Sequence, residues 1–452
     1  MPANPYDQVT YRTFPRRQTH PNRLAAVATL FGMSPAPVAR CRVLEIGCGD
    51  GGNLIPLAYY LPESRFTGID LAAQPIAAAR RTAEALDLAN VDLRVGDLRD
   101  LGARDGEFDY IFAHGLYSWI PEDVRDRLLA VCRERLAANG VAFVSYNVYP
   151  GRYPRRMLRE ILLHHLQHHP PAIVEPGARI AEARRLLAQL PHEEAASLLE
   201  QSDDILFHDD LAPINHAVWF HEFAAHAARH GLQYLGEADP HEMFDPREIP
   251  ICDVLAREQY LDFLKLRRFR QTLLCRAEVK LTRQADARQM DQFLFSQNPH
   301  GHRIPGGDAC VEGVAQALKD TAPLPVEFAE LIPYAGSPEA LREILFTLLI
   351  AGCVDLNVYN FPCEEVVRER PRASRLARYQ AAAGGNVTNA CHIPVELDQI
   401  ARQLVILLDG TRTVGDLAGD LAALPGAPTR GEIFRHLPAS LDWLARMALL
   451  EA

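Results

Sequence analysis

The stretch VLEIGCGDGGN, from Val43 to Asn53, decides the fold of this chain. A short apolar run reaches an acidic residue, Glu45, and four glycines then fall within the six positions that begin at Gly47. Glycines at this density let a backbone turn tightly and let a ligand approach it closely. Because the helix-like segment NLIPLAYYL follows, the stretch predicts a ligand loop between a strand and a helix.

Strand-like and helix-like segments alternate around this loop, from about residue 40 to residue 147. Five apolar runs have strand character: CRVLEI, RFTGID, VDLRVGD, FDYIFAHG and VAFVSYN. Helix-like segments separate them, and the last, VRDRLLAVCRERLAANG, is predicted to stop at Asn139 and Gly140. The alternation predicts an α/β fold in which a parallel sheet has helices on both faces.

The pattern changes after Gly151. Residues 152–202 predict a helical insertion, and VWFHEFAAHAARHG with LQYLGEAD predicts one more helix and strand that return to the sheet. We expect PREIPICDVLAREQYLDFLKLRRFRQTLLCR to be helical and residues 296–325 to form a linker or irregular region. The later segment GCVDLNVYN has strand character.

Acidic residues at three strand ends indicate which ligand the loop binds. The first, second and fourth glycines also satisfy the dinucleotide pattern G-x-G-x-x-G, but a carboxylate at Glu45 would repel a pyrophosphate and attract a cation. S-adenosylmethionine carries an ammonium and a sulfonium and has no phosphate. Asp70 is placed to accept both ribose hydroxyls, and Asp97 to accept from the adenine amino group. A helix N-cap is the alternative for Asp97.

These strand ends together define the predicted cofactor site, in which Leu98 would cover the adenine ring. We expect S-adenosyl-L-methionine to contact Glu45, Gly47, Cys48, Gly49, Gly51, Gly52, Asn53, Asp70, Leu71, Asp97, Leu98 and His114.

Composition excludes several classes of protein. The 452 residues carry a formal net charge of -11, which does not suit a general nucleic-acid binder, because such a protein needs a basic face. No stretch reaches the roughly 18 apolar residues of a membrane span, and MPANPYDQVTYRTF lacks the apolar core of a signal peptide. Nine scattered cysteines form no C-x-x-C pair, which fits reduced thiols. We therefore expect a cytoplasmic protein that binds no nucleic acid.

The motifs VLEIGCGDGGN, FTGID, VGDL and FDYIFAHG resemble the successive motifs of class I S-adenosylmethionine-dependent methyltransferases. The segments YDQVTYRTFPRRQTHPNRL, HGLYSWIP, VSYNVYPG and EQYLDFLKLRRFRQTLL are similar to those of bacterial methyltransferases that carry a methyltransferase regulatory domain. That group includes the rickettsial protein-lysine methyltransferases. The resemblance covers most of the chain, and it is far more specific for the fold than for the methyl acceptor.

The resemblance implies a Rossmann-like sheet of seven strands with a helical insertion, a helical middle domain and a winged-helix-like C-terminal region. We place the methyltransferase core, with its insertion, at residues 1–240, the middle region at 241–325 and the C-terminal region at 326–452. The resemblance also implies that the insertion takes part in a homodimer.

Residues that follow the fourth and fifth strands are the candidates for the methyl-acceptor side. Methyl transfer is an in-line attack on the sulfonium methyl group, so the enzyme mainly aligns two reactants and excludes water. We expect His114 to accept a proton and aromatic rings to hold a methylammonium by cation-π contact. The predicted catalytic residues are His114, Tyr117, Trp119 and Tyr146. The alternative for Tyr117 and Trp119 is that they cap the cofactor or pack against the next helix, and for the other two it is a structural role.

Two further groups could surround the acceptor and the cofactor. The acceptor channel could be lined by Ser145, Tyr146, Asn147 and Tyr149. The N-terminal segment could fold over the cofactor, with candidates Tyr6, Tyr11 and His20. Packing of an N-terminal helix is the alternative for this segment.

Histidines in LLHHLQHH have helical i,i+4 spacing, which can bind zinc or nickel. The pairs are His164 with His168 and His165 with His169. No acidic third ligand accompanies them, so we interpret them as a half-exposed helix face and predict no metal cofactor.

Our first functional hypothesis is a methyltransferase that N-methylates lysine side chains of a protein substrate, because large accessory domains suit a macromolecular acceptor. The alternatives are a small-molecule or peptide natural-product methyltransferase and a non-catalytic S-adenosylmethionine-binding regulator. An open groove beside His114 and Trp119 would favour a protein lysine, and a closed pocket would favour a small acceptor.

Overall fold

The computed structural model describes residues 9, 11–168, 173–245, 247, 249–299, 301, 308–426 and 428–451. The main sheet contains β1 (Arg42–Ile46), β2 (Arg65–Asp70), β3 (Val91–Val95), β4 (Phe108–Ala113), β5 (Leu136–Asn147), β6 (Leu232–Glu237) and β7 (Phe269–Arg276). Their spatial order is β3-β2-β1-β4-β5-β7-β6. The first five strands run parallel, and β7 lies antiparallel between β5 and β6. The predicted Rossmann-like α/β sheet is confirmed.

The helices are α1 (Pro21–Leu30), α2 (Leu54–Tyr60), α3 (Ala73–Ala85), α4 (Glu122–Arg135), α5 (Tyr153–His168), α6 (Pro176–Leu187), α7 (Glu193–Leu199), α8 (Phe220–Arg229), α9 (Val254–Lys265), α10 (Ala309–Thr321), α11 (Phe328–Ala335), α12 (Pro338–Ile350), α13 (Arg375–Ala382), α14 (Gln399–Leu407), α15 (Val414–Ala422) and α16 (Arg430–Arg446). The remaining strands are β8 (Leu294–Gln297), β9 (Val326–Glu327), β10 (Val354–Asn357), β11 (Val387–Thr388) and β12 (Pro394–Val395). No helix among the described residues is long and apolar enough to cross a membrane.

Both faces of the main sheet are covered by helices. Along β5, Phe143 belongs to a hydrophobic cluster that includes Leu54 of α2, whereas Val144 belongs to a second cluster that includes Phe223 of α8. This alternation follows from the two-residue period of a strand. The strand order reverses between β1 and β4, so a crevice opens at the carboxyl ends of these two strands.

The predicted end of α4 is wrong. The helix stops before Leu136, and Asn139 and Gly140 lie inside β5. Leu136 pairs with Phe108 of β4, and its carbonyl accepts a hydrogen bond from Arg276 Nε at 2.8 Å. Pairing with distant strands therefore overrides a local helix-stop signal.

The prediction of a helix up to Arg276 is also wrong. α9 ends where Leu266 takes a left-handed φ of +45°, and the chain then forms β7 inside the main sheet. Residues from Thr272 to Cys275 are all buried, so their side chains show no alternation of polar and apolar positions. In such a short apolar run, the sequence pattern cannot distinguish a strand from a helix. Residues 296–325 are also not irregular throughout, because they contain the helix α10. Asp308 caps this helix by accepting from the Cys310 amide at 2.8 Å.

Two accessory regions have apolar cores of their own, whereas the region of β8 to β10 shares the cluster on one face of the main sheet. The predicted helical insertion is confirmed as α5 to α7, which bury a separate apolar cluster around Leu162 and Leu198. β8, β9 and β10 form a three-stranded sheet that α10 to α12 accompany. α13 to α16 enclose a further cluster around Leu417 and Leu441.

Buried polar contacts connect α1 to the three-stranded sheet of β8, β9 and β10. Arg23 pairs with Asp239, which follows β6, at 2.8 Å and with Asp355 of β10 at 2.6 Å. The Asn22 side-chain amide donates to Asn357 Oδ1 at 2.8 Å. The N-terminal helix therefore fixes this small sheet against the core.

Candidate active site

The glycine loop leaves β1 through residues with positive φ. Gly47, Gly49 and Gly51 have φ values of +78°, +54° and +77°, which residues with a Cβ rarely adopt. The amides of Gly47 and Cys48 both donate to the Ile69 carbonyl, at 2.8 and 3.2 Å. These bonds hold the loop over the end of β2, with Cys48 buried beneath it.

Glu45 and Asn53 form a buried pair under the loop. The Asn53 amide nitrogen donates to Glu45 Oε1 at 2.8 Å, while Glu45 Oε2 is buried without a hydrogen-bond partner among the described residues. Burial raises the pKa of Glu45 to about 8; the bond from Asn53 opposes the rise, and the charges of Asp70 and Asp50 add to it. A buried carboxylate oxygen without a partner is suited to a cationic ligand group.

The side-chain oxygen of Asn53 accepts three hydrogen bonds from distant parts of the chain. The donors are the Arg16 amide at 2.8 Å, the Thr19 hydroxyl at 3.1 Å and His392 Nε2 at 2.9 Å. Burial lowers the pKa of His392 well below its usual value, so the ring is neutral. The N-terminal segment and the C-terminal region therefore meet at the same atom of the glycine loop.

Gly52 lies directly against Thr13 of the N-terminal segment. The Thr13 hydroxyl accepts from the Gly52 amide at 2.7 Å, and the Thr13 amide donates to Asp50 Oδ1 at 3.1 Å. A Cβ at Gly52 would lie 2.1 Å from the Thr13 carbonyl oxygen. At this position the glycine is required by the N-terminal segment, which lies directly on the loop.

Asp70 fixes the loop from the end of β2. Its Oδ2 accepts from the Gly49 amide at 2.9 Å and its Oδ1 from the Ala72 amide at 2.8 Å. A carboxylate can accept about four hydrogen bonds, so an aspartate at this strand end is suited to ribose hydroxyls. Beside it, Leu71 is 62% exposed and offers an apolar surface next to the loop.

Asp97 caps a short 3₁₀ helix, Leu98–Asp100, at the end of β3. It accepts from the Arg99 amide at 2.9 Å and pairs with the Arg99 guanidinium, which holds the pKa of Asp97 below its usual value. Leu98 is buried in the same hydrophobic cluster as Ile69. Asp97 is therefore an N-cap residue in this structure. The contacts of Asp97 and Leu98 with adenine stay predictions.

Three family models match the chain. A methyltransferase domain matches residues 43–140, a predicted methyltransferase regulatory domain residues 202–276, and a PKMT C-terminal winged helix domain residues 369–425. Protein RP789 of Rickettsia prowazekii is 36% identical over 490 residues, which cover 95% of this chain and 87% of that protein. The chain belongs to the class I methyltransferases that carry a methyltransferase regulatory domain. It is an S-adenosylmethionine-dependent methyltransferase.

Solved structures resemble this methyltransferase along nearly its whole length. PKMT2 from Rickettsia typhi superposes with a TM-score of 0.83 at 24% identity and covers 98% of this chain and 100% of its own. PKMT2 in complex with AdoHcy gives a TM-score of 0.83 at 25% identity and covers 97% of this chain and 99% of its own. The likeness confirms the predicted arrangement of sheet, helical regions and C-terminal winged helix.

The residues of this methyltransferase fit S-adenosylmethionine, which supplies the methyl group and a cationic sulfonium when bound. Glu45 Oε2, which is buried without a hydrogen-bond partner among the described residues, would accept from its ammonium group. Asp70 would bind the ribose, and the exposed Leu71 would lie beside it. The glycine turn provides the close backbone approach.

His114 lies after β4 on the other side of the crevice. Its Nδ1 is 3.2 Å from the Ser145 hydroxyl, which accepts from the Gly115 amide at 2.7 Å. Burial lowers the pKa of His114 to about 3, and the positive charge of Arg16 contributes. The ring is neutral and weakly basic, so its role as a proton acceptor stays a prediction that this pKa disfavours.

Tyr117 and Tyr146 are buried in the core between β5 and α8. The Tyr117 hydroxyl lies 2.9 Å from His226 Nδ1, and the Tyr146 hydroxyl 2.9 Å from Thr272 Oγ. Tyr146 follows Ser145 on β5 and therefore points to the opposite face of the sheet. The structure does not bring the predicted catalytic residues together on one face, and the catalytic roles of these two tyrosines stay predictions.

Trp119 is the aromatic candidate that retains a free polar atom. Its ring is half-buried, and its Nε1 is buried without a hydrogen-bond partner in the part of the chain that is described.

Among the candidates for the acceptor channel, Asn147 forms hydrogen bonds with Ser118 and Asn215, as expected if its role is structural. The Tyr149 ring stacks on another tyrosine ring at 4.4 Å.

The N-terminal segment contacts the glycine loop, but the residues predicted to cover the cofactor do not make these contacts. The Tyr11 ring contacts the His208 ring at 5.5 Å, and His20 caps α1 by accepting from the Asn22 amide at 3.0 Å. Tyr6 lies outside the described residues. Thr13 and His392 were missed by sequence reasoning, and His392 stands 339 positions from its partner without any motif around it.

Replacement of Glu45 by glutamine tests the buried acid. The folded protein holds the Glu45 proton up to about pH 8, whereas an unfolded chain releases it near 4.5, so folding stability is lost as pH rises between these values. Glu45→Gln escapes this loss, so its melting temperature should exceed that of the wild type by a margin that grows from about pH 5 to about pH 9. Its affinity for S-adenosylmethionine should fall by about 1–3 kcal/mol in calorimetry, because glutamine cannot lose a proton and become the charged partner of the bound ammonium.

The matched control is Glu63→Gln, whose carboxylate is exposed and pairs with Arg40. This variant should melt and bind like the wild type at every pH. Unchanged cofactor affinity in Glu45→Gln would contradict the assignment of Glu45 Oε2 to the ammonium group.

A second comparison separates the two strand-end acids. Asp70→Ala should weaken S-adenosylmethionine binding by about 1–3 kcal/mol, since ribose hydrogen bonds are lost. Asp97→Ala should weaken it by a similar amount only if Asp97 accepts from adenine, and should leave calorimetric affinity unchanged if Asp97 is a cap alone. Wild-type affinity in Asp70→Ala would remove Asp70 from the site.

Proposed function

We propose that this methyltransferase N-methylates lysine side chains of a protein substrate, and that it acts in the cytoplasm. The observation that carries the proposal is the likeness to PKMT2, which extends over 97% of the chain and so includes the accessory regions as well as the catalytic sheet. The PKMT winged-helix model at residues 369–425 supports the same class of acceptor. Large regions packed around a catalytic core suit a macromolecular acceptor better than a small metabolite.

The chemistry of the crevice agrees with an amine acceptor. A lysine amine has a pKa of about 10.4 in water and attacks a methyl group only in its neutral form. Because His114 has a pKa of about 3, it is too weak a base to remove that proton at neutral pH. Transfer of the amine from water to a partly buried apolar site lowers its pKa, and the half-buried Trp119 follows β4 in the same segment as His114. We infer that desolvation, rather than a general base, makes the acceptor neutral.

Labelling of a lysate tests the acceptor class directly. Purified protein, S-adenosylmethionine with a labelled methyl group and a lysate of the source cells are incubated, and the products are separated by size and sequenced by mass spectrometry. We expect label on lysine residues of one or a few proteins. The matched control is Asp70→Ala, which should lose most of the label because its cofactor site is weakened.

Two other results would overturn the lysine proposal. Label confined to the small-molecule fraction would assign the enzyme to small-molecule or peptide natural-product methylation. Label on protein residues other than lysine would keep a protein substrate and change the acceptor group.

We also propose that the insertion forms a homodimer through the outer face of α5. Tyr153, Met157 and Ile161 are 49%, 44% and 37% exposed and recur every four residues, so they form one apolar stripe along the helix. The stripe continues into a groove that the side chains of His164, His165 and His168 also line. An exposed apolar stripe of this kind is typical of a protein interface.

The oligomeric state should depend on this stripe. Light scattering should give twice the mass of one chain for the wild type and a single-chain mass for Met157→Asp combined with Ile161→Asp. Val174→Asp, which alters an 82% exposed residue of the same insertion away from the stripe, should stay dimeric. A dimer that survives the double substitution would contradict this interface.

A further inference from the structure

Asp126, His226 and His230 converge between α4 and α8, on the side of the sheet away from the glycine loop. One ligand atom from each residue lies within 4.8 Å of the other two. His226 lies on α8 and His230 directly follows its last residue, so the two imidazoles stand one turn apart, while Asp126 reaches across from α4. No sequence motif joins these three residues, because the aspartate is 100 positions from the first histidine.

The three ligand atoms lie close enough together to surround a small metal ion after small adjustments. Asp126 Oδ1 lies 2.8 Å from His230 Nε2 and 3.3 Å from His226 Nε2. Zinc bonds to nitrogen and oxygen are about 2.0–2.2 Å long, so neighbouring ligands of a tetrahedral ion are about 3.3–3.5 Å apart. Small side-chain rotations would therefore complete a three-ligand site.

The surroundings of His226 give a second, independent indication. Its Nδ1 lies 2.9 Å from the Tyr117 hydroxyl, and the residue is only 8% exposed, so the ring is held with Nε2 directed at Asp126. Metal-binding histidines usually have their second nitrogen fixed by an oxygen in this way. The Asp126 side chain is 58% exposed, so an ion can enter from solvent and a water can occupy the fourth position.

We propose that Asp126, His226 and His230 bind one divalent transition-metal ion, and that two imidazoles and a carboxylate select zinc. The ion links α4 to α8. Through His226 it also fixes Tyr117, which lies in the segment that joins β4 to α4 and that contains His114 and Trp119. The metal is thus a structural ion that orders the acceptor side of the crevice, and it takes no part in methyl transfer.

Metal binding is measured with Zn²⁺ by calorimetry and with Co²⁺ by its visible absorption. The histidines of α5 could bind ions at i,i+4 spacing, so the measurement uses a background in which His164, His165 and His168 are replaced by glutamine. In this background we expect one ion per chain. His230→Gln and Asp126→Asn should each weaken binding by more than about 100-fold, because each removes a ligand, and Tyr117→Phe should weaken it by about 10–100-fold, because it removes only the group that orients His226.

Thermal unfolding in the same α5 background provides the matching readout. Zn²⁺ should raise the melting temperature of the background protein and leave that of the same protein carrying His230→Gln unchanged, while both proteins have the same circular dichroism spectrum. Absence of an ion in the α5 background would overturn the proposal. So would equal binding by the background protein and by the same protein carrying Asp126→Asn with His230→Gln, which would indicate an adventitious ion elsewhere.

Discussion

One buried amide, the side chain of Asn53, holds together the parts of the molecule that meet at the cofactor loop. Its oxygen accepts from the N-terminal segment at Arg16 and Thr19 and from the C-terminal region at His392, and its nitrogen donates to Glu45. Buried polar atoms are costly to leave without partners, so these four bonds form together. The position of Glu45, and with it the electrostatics of the cofactor site, therefore depends on regions far from the loop in sequence.

Buried charge recurs where accessory segments join the main sheet. Arg23 of α1 bonds Asp355 of β10, and the fully buried Arg270 of β7 bonds Glu258 and Asp262 of α9. Removal of one partner from such a pair leaves an uncompensated buried charge, which is strongly destabilising. The pairs therefore favour a single docked arrangement of α1, α9 and the β8–β10 sheet, and this arrangement keeps the N-terminal segment on the glycine loop.

The two sides of the crevice use burial in different ways. On the cofactor side, burial raises the pKa of Glu45 and leaves one oxygen free, which prepares the site for a cation. On the acceptor side, burial keeps His114 neutral, so the protein can position and desolvate an acceptor but has a weak base to offer. This division suits methyl transfer, in which alignment and exclusion of water matter more than proton transfer.

The sequence by itself determined the parallel sheet, the glycine loop, the strand-end acids and the family, because these depend on local period and on short motifs within one strand and helix. It did not determine that β5 begins at Leu136 or that residues 269–276 form β7, because both depend on pairing with strands that are distant in sequence. The role of Gly52 and the contact of His392 with Asn53 were likewise decided only by the tertiary structure. Motifs record local geometry, whereas a buried hydrogen bond or ion pair requires two segments that only the folded chain brings together.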